Sequence, residues 1–145
     1  MQSVEGELKK ANKCIRIDAV VSNPVNPDLK QKVDFIVDTG AVGCAIPIEV
    51  AKKLRLESRG QVEAVMADGS QRTVDVSFAV LQLGGKRLYA WIAYGKGFDA
   101  LLGIDVMEVL GVHVDVPNRK LLMPVDRFDV KRCRIKFGWN EGKFK

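Results

Sequence analysis

The sequence predicts an all-β, barrel-like fold with small helical insertions. Three observations carry this reading. Short runs rich in β-branched and other apolar residues recur from Cys14 onward, separated by turn residues. Asp68-Gly69, Gly84-Gly85 and Pro117-Asn118 each stand between two such runs, as hairpin turns do. Only two stretches place apolar residues at helical spacing, and both are short.

CIRIDAVV (residues 14–21) alternates and reads as a strand. SNPVNPDLKQ carries two prolines with Asn and Asp, which makes it a loop. KVDFIV follows as a second strand, expected antiparallel to the first, and AVGCAI as a further apolar strand-like run. In PIEVAKKLRLE, Ile48, Ala51 and Leu54 form one apolar face with Val50, while Lys52 and Lys53 take the other side. Pro47 suits the first position of that helix, where a missing N–H costs nothing. EAVMA and RTVDVSFAVLQL flank Asp68-Gly69, a pair that favours a tight type I′ turn. Gly84-Gly85 reverses the chain into KRLYAWIAY, and GKGF is a loop. DALLG is a short buried run, IDVMEVL a helix of about two turns closed by Gly111, and VHVDV with KLLMP a last hairpin.

The length of 145 residues suits one domain. Its organisation is expected as a polar N-terminal segment (1–13), a folded domain (14–124) and a basic tail (125–145). An apolar fraction of 47% is enough for an ordinary core. No run approaches the length of a membrane helix, and the polar start, MQSVEGELKKANK, has no apolar signal region. Together with Met1 it suggests a free-standing protein. Cys14, Cys44 and Cys133 are widely separated with no CxxC, which argues against a disulfide framework or a zinc site and fits reduced thiols in the cytoplasm. The formal charge is +5, and the tail holds seven Lys or Arg against three acids, so most of the excess lies there. A solvated terminus is the plain reading of that tail; docking on nucleic acid or anionic lipid is the sharper one, and no RNA-binding motif or zinc-finger spacing supports it.

The chemistry-bearing feature is Asp38 in VDFIVDTGAVGCAIP, a carboxylate inside an apolar run. Three readings compete. Asp-Thr-Gly is good turn chemistry, because Asp and Thr bond local backbone and Gly permits positive φ. A metal ligand needs partners, and the single histidine, His113, falls on another strand. The third reading is a catalytic carboxylate.

Context favours the third. FIVDTGAVGCAIP is followed by a hairpin segment, VMADGSQRTV, and then by ALLGIDVMEVL. These three segments, in this order, resemble the retroviral-type (retropepsin-like) aspartic proteases, single-domain relatives of pepsin, over roughly residues 14–123. The resemblance implies a closed β-barrel with a flap hairpin, assembled as a homodimer. It implies an aspartic endopeptidase without a cofactor or metal, acting on extended peptide or unfolded protein. Aspartic protease chemistry takes two carboxylates sharing one proton, and this chain has one Asp-Thr-Gly. Asp68 is expected at a hairpin tip, and Asp105 in the first turn of a helix, where it suits the dipole. The second carboxylate is therefore expected from Asp38 of another copy across a twofold axis, with apolar surroundings keeping water from the pair.

The resemblance further implies that Thr39 braces the two loops across the axis and that the Gly40 carbonyl accepts from the substrate. Ala41 and Leu101 line pockets, Leu102 packs the core beneath, and Met66, Ala67, Asp68 and Gly69 form the flap over the peptide. Leu101 and Met66 point to apolar side chains around the cut, while Asp68 at the tip raises the alternative of basic ones. Cys44 stands where the family more often has Ser or Thr; a small buried thiol is expected there rather than a nucleophile, which would want a histidine close by. Within the tail, RCRIKF alternates well enough to pair at a dimer interface. Two other functions compete: a catalytically silent, dimeric peptide-binding scaffold of the same fold, and a nucleic-acid-associated protein using its basic tail. A catalytically silent copy has no chemical need for an aspartate on an apolar loop, and a salt-dependent gel shift abolished by deleting the residues after Val125 would favour the nucleic-acid reading.

Overall fold

A computed structural model describes residues 2–5, 7–8, 15–66, 68–111, 113–118 and 120–123. The basic tail from 125 onward, its expected interface role and Ala67 lie outside these residues. The elements run β1 (Gln2–Glu5), β2 (Glu7–Leu8), β3 (Ile15–Ser22), β4 (Lys30–Val37), β5 (Cys44–Pro47), α1 (Ile48–Lys53), β6 (Gly60–Val65), β7 (Gln71–Leu83), β8 (Lys86–Gly95), β9 (Leu101–Leu102), α2 (Ile104–Leu110), β10 (His113–Asp115) and β11 (Lys120–Met123).

Six strands close a ring in the order β3-β4-β9-β5-β8-β7, because β7 also pairs with β3. That closure is antiparallel, with Val20 opposite Gln82, Val21 opposite Leu81 and Ser22 opposite Val80. Closure gives every ring strand a partner on both sides, the arrangement that removes open edges, whereas β6 pairs with β7 alone. β3 and β4 are antiparallel, as expected, with Ile17 opposite Phe35 and Ala19 opposite Val33. β4 and β5 are joined through the short β9, which runs parallel to β4 (Ile36 opposite Leu101) and antiparallel to β5 (Ala45 opposite Leu101).

Alternation decides what fills the ring. On β4, Val33 and Phe35 are buried while Lys32 and Asp34 face solvent. Phe35, Ile46, Leu81, Ile92 and Leu102 are almost fully enclosed, and Ala51 from α1, Leu54 at its C-cap, and Val106 and Leu110 from α2 complete the core. Each large side chain so buried contributes about 1.5–3 kcal/mol. The ion pairs on the outer wall, Arg16–Asp34 at 3.0 Å and Lys32–Asp18 at 3.9 Å, are exposed and contribute little.

Several expectations meet corrections. Pro47 is the N-cap of α1, in extended conformation as the last residue of β5, so the helix starts one residue later than its sequence suggests. The 1–13 segment supplies two strands: β1 pairs with β11, and β2 pairs with β3. The type I′ turn expected at Asp68-Gly69 is absent. Of these two residues only Gly69 has a positive φ (86°), and the loop is longer, closed by Met66 N–H to Ser70 O (2.7 Å) and Gly69 N–H to Met66 O (2.9 Å). The positive-φ pair sits instead at Gly84-Gly85 (53° and 82°), between β7 and β8. Gly111 caps α2 in the left-handed conformation, as read from the sequence.

Candidate active site

Asp38 follows the last residue of β4, and backbone hydrogen bonds fix it from both sides. Ile36 N–H donates to Ala100 O (2.8 Å) and Asp38 N–H to Leu102 O (3.1 Å), which carries the β4–β9 pairing through to the carboxylate residue. The chain then turns. Ala41 N–H donates to Asp38 O (3.1 Å), and Gly40 N–H to Asp38 Oδ1 (2.9 Å), so the side chain shapes its own loop. On the far side, Ile104 N–H reaches Ala41 O (2.8 Å) and Asp105 N–H reaches Val42 O (3.1 Å). These are N–H groups at the start of α2, which have no partner within the helix. The loop from Asp38 to Gly43 is thus tied to β9 at its beginning and to α2 near its end.

Cys44 and Asp105 knit the layer beneath. Gly103 N–H donates to Cys44 Sγ (3.3 Å), and the Cys44 thiol donates to Asp105 Oδ1 (3.8 Å), which also accepts from Val106 N–H (2.7 Å). Burial, with the Asp105 charge adding to it, pushes the Cys44 thiol up from 9.0 to about 12, against the opposing pull of the Gly103 N–H. A thiol so far from ionising is no nucleophile at neutral pH. His113 is exposed on β10, and among the described residues no hydrogen bond joins it to Cys44. Asp105 has the structural place expected of it, though its carboxylate is spent on the thiol and on the adjacent N–H as well as on the helix start.

The apolar shield expected around Asp38 is not supplied within one chain. Phe35 points into the barrel, Asp38 is half-buried, and Thr39, Gly40 and Val42 are exposed, Val42 at 79%. The apolar run brings the carboxylate to the barrel's end and leaves it half-exposed there.

Beside this loop lies a cleft of about 670 Å³, walled by residues 40–45, by β6 and Met66, and by Ala93 with the turn leading into β9. It brings together four of the expected residues, Gly40, Ala41, Met66 and Leu101. Leu101 lines the cleft and Leu102, its neighbour, packs in the core, as strand alternation requires. Asp38 and Thr39 stand in the same loop just outside the lining, and Asp68 and Gly69, at the hairpin tip, are outside it too. Asp68 Oδ1 accepts from Ser70 Oγ (2.6 Å) and Ser70 N–H (2.9 Å), and these bonds, the hydroxyl's foremost, hold its carboxyl below the ordinary 3.8. Sequence reasoning missed Val62, Ala64 and Phe98, which also line the cleft. The apolar alternation of Val62, Ala64 and Met66 along one face of the hairpin strand was the available signal. Phe98 carried none, because it lies in a turn.

Among the described residues no three His, Cys, Asp or Glu side chains cluster as metal ligands, and no helix is long and apolar enough to cross a membrane. A family profile described as aspartyl protease matches residues 21–106, which spans both the Asp38 loop and the start of α2. No curated protein sequence matches the chain. Among solved structures, a retropepsin-like aspartic protease from Rickettsia conorii is similar at a TM-score of 0.60 and 21% identity, over 84% of this chain and 90% of that one. EIAV protease, complexed with the inhibitor HBY-793, is similar at 0.57 and 14% identity, over 71% and 93%. The retroviral protease-like domain of Ddi1 from Leishmania major is similar at 0.53 and 15% identity, over 78% and 90%.

Proposed function

The chain belongs to the aspartyl protease family, with a retropepsin-like fold and the activity class of an aspartic endopeptidase, and from that premise we propose that Asp38 is its catalytic carboxylate, working with Asp38 of the partner subunit in a homodimer. The observation that carries this reading is the presentation of Asp38: a pinned, surface-facing loop beside an apolar cleft, with no second free carboxylate in that loop. Asp105 is committed to Cys44 and Val106. Asp99 borders the cleft from the turn before β9 rather than from the Asp38 loop. A symmetry mate supplies what one chain lacks, and the exposed Thr39, Gly40 and Val42 are then surface that the second copy covers.

Two carboxylates at such an axis hold one proton between them, since like charges about 3 Å apart do not both ionise. The ionised member takes a proton from water as the water oxygen bonds to the scissile carbonyl carbon. The protonated member donates a hydrogen bond to the carbonyl oxygen as charge grows there. Collapse of the tetrahedral adduct breaks the C–N bond, and the departing nitrogen takes a proton from the dyad. Thr39 braces the paired loops, Gly40 offers its carbonyl to the substrate backbone, and Ala41, Met66 and Leu101 receive side chains. The hairpin tip at Ala67, Asp68 and Gly69 closes over the peptide. The substrate is an extended segment laid between hairpin and floor, which main-chain hydrogen bonds hold and alternate side chains specify. Apolar lining from Val62, Ala64 and Phe98 supports apolar residues at the cut. We place the enzyme in the cytoplasm, a setting supported by its widely separated cysteines.

The deciding experiment is digestion of a peptide library and of denatured proteins across pH by wild type and Asp38→Asn, with product masses as the readout. Asn keeps an Oδ1 for the Gly40 N–H, so the loop persists while the proton chemistry does not. Cleavage by Asp38→Asn is expected to fall by about 10²–10⁴-fold or more. Turnover within tenfold of wild type rejects Asp38 as the catalytic group.

A further inference from the structure

Arg72 stands on β7, opposite Ala64 of β6 and so on the same face of the hairpin as that cleft-lining residue. Its side chain leaves the hairpin and reaches the opposite wall. The guanidinium lies over the Phe98 ring, 5.0 Å from the centroid, and Nη1–H donates to Lys96 O at 3.0 Å. Lys96 and Gly97 are the central residues of a turn closed by Phe98 N–H to Gly95 O (3.3 Å), with Gly97 at φ 76°. The Lys96 carbonyl has no partner inside that turn, so Arg72 provides one. Gly95 is shaped for this packing. A Cβ there would meet the Phe98 ring at 3.2 Å and Arg72 Nη2 at 3.4 Å. Among the described residues no carboxylate lies within salt-bridge distance of Arg72. The stack on Phe98 and the single carbonyl are what hold it.

We propose that Arg72 is a positioning residue that latches the hairpin to the cleft wall and sets how far the cleft opens to a peptide. The same side chain spans the two walls between which the substrate lies, so each opening of the hairpin breaks a charge-assisted hydrogen bond and a cation–π contact. Phe98 lines the cleft from beneath the guanidinium, so the latch also fixes an apolar wall of the binding site. The catalytic part of this inference rests on the function proposed above; the latch itself does not.

The test compares wild type, Arg72→Met, Arg72→Lys and Phe98→Leu by amide hydrogen exchange over residues 61–75 and by steady-state cleavage of a peptide found in the library digest. Arg72→Met keeps the stem and removes the fork. It is expected to speed exchange in the hairpin at least fivefold and to raise KM about tenfold with kcat within twofold. Lysine keeps the charge over the ring but not the planar fork, so Arg72→Lys falls between. Phe98→Leu, which removes the ring while leaving the arginine, reproduces the faster exchange. Exchange in Arg72→Met and Phe98→Leu within twofold of wild type overturns the latch. Faster exchange with KM unchanged overturns its role in substrate access. If wild type cleaves nothing, the function proposed above fails while exchange still decides the latch.

Discussion

Gly103 and Gly43 meet backbone to backbone. A Cβ built on Gly103 would lie 2.9 Å from Gly43 Cα and would overlap the Gly43 carbonyl. This contact lets the start of α2 approach the Asp38 loop closely enough for Ile104 and Asp105 to bond Ala41 O and Val42 O. φ at Gly103 is −87°, so the need for glycine is one of space alone.

Gly103→Ala therefore separates the helix start from the loop, because the obstacle is backbone and cannot rotate away. The expected cost is about 3 kcal/mol or more, at the upper end for overpacked sites, with cleavage lost in parallel as Asp38 is no longer held. Denaturant unfolding and peptide cleavage on the same preparation check both. Gly85→Ala serves as a contrast: nothing lies within 4 Å of its Cβ, and its strain comes from φ 82°. It should cost about 1 kcal/mol and leave the catalytic loop intact.

Cys44 gives a pH prediction. Its thiol is raised to about 12 in the fold, while the unfolded chain ionises near 9. The folded state holds this proton more tightly, so the associated stability is fully present below pH 9 and is lost as pH rises toward 12. A shift of that size corresponds to about 4 kcal/mol at most. Between pH 9 and 11 wild type should lose stability faster than Cys44→Ala, compared by urea midpoints at each pH; parallel curves contradict the assignment. Thiol reagents at pH 8 should leave Cys44 unmodified in the native protein.

Asp105 contributes to that raised value, through its charge and as acceptor of the S–H. Asp105→Asn removes the charge but keeps an oxygen for Val106 N–H. The Cys44 thiol should then titrate lower, with a stability loss of about 1 kcal/mol. Asp105→Ala removes both bonds and should cost about 1–3 kcal/mol. Ultraviolet thiolate absorbance against pH, referenced to Cys44→Ala, measures the first effect and denaturant unfolding the second.

Local chemistry made much of this fold readable in advance. The resemblance separated Leu101 from Leu102, whose opposite directions strand alternation explains, and Gly111 marked the end of α2 because few other residues accept φ 68° there. Features set by distant partners were not readable. The β3–β7 closure joins segments about 60 residues apart through three residue pairs. QSVE becomes a strand through its pairing with β11, without an apolar alternation of its own. The hairpin tip misled because Asp-Gly chemistry is compatible with a longer loop, and loop length is fixed by the register of β6 on β7. The partial exposure of Asp38 was hidden for a related reason. Apolar neighbours in sequence alternate in direction, so a residue at a strand's end can follow a buried phenylalanine and still face outward. Arg72 and Phe98 illustrate the limit, since nothing in either local sequence announces the other.

The shared-dyad reading makes a stoichiometric prediction that differs from any single-chain mechanism. If one active site needs the Asp38 loop of two copies, a statine-type mimic of the tetrahedral adduct should bind at one molecule per two chains. Calorimetric titration of protein held well above its dimer dissociation constant checks this. A ratio of one per chain requires a complete site within each copy and sinks the dyad. Mixing provides a second route to the same quantity. Excess Asp38→Asn chains should suppress wild-type activity by forming mixed dimers with one carboxylate, approaching full inhibition as the variant dominates, provided exchange is allowed to reach equilibrium. Activity should also decline on the alkaline side, because the proton the pair shares is the one donated to the carbonyl oxygen. A rate rising steadily through alkaline pH would mean that no such proton is used.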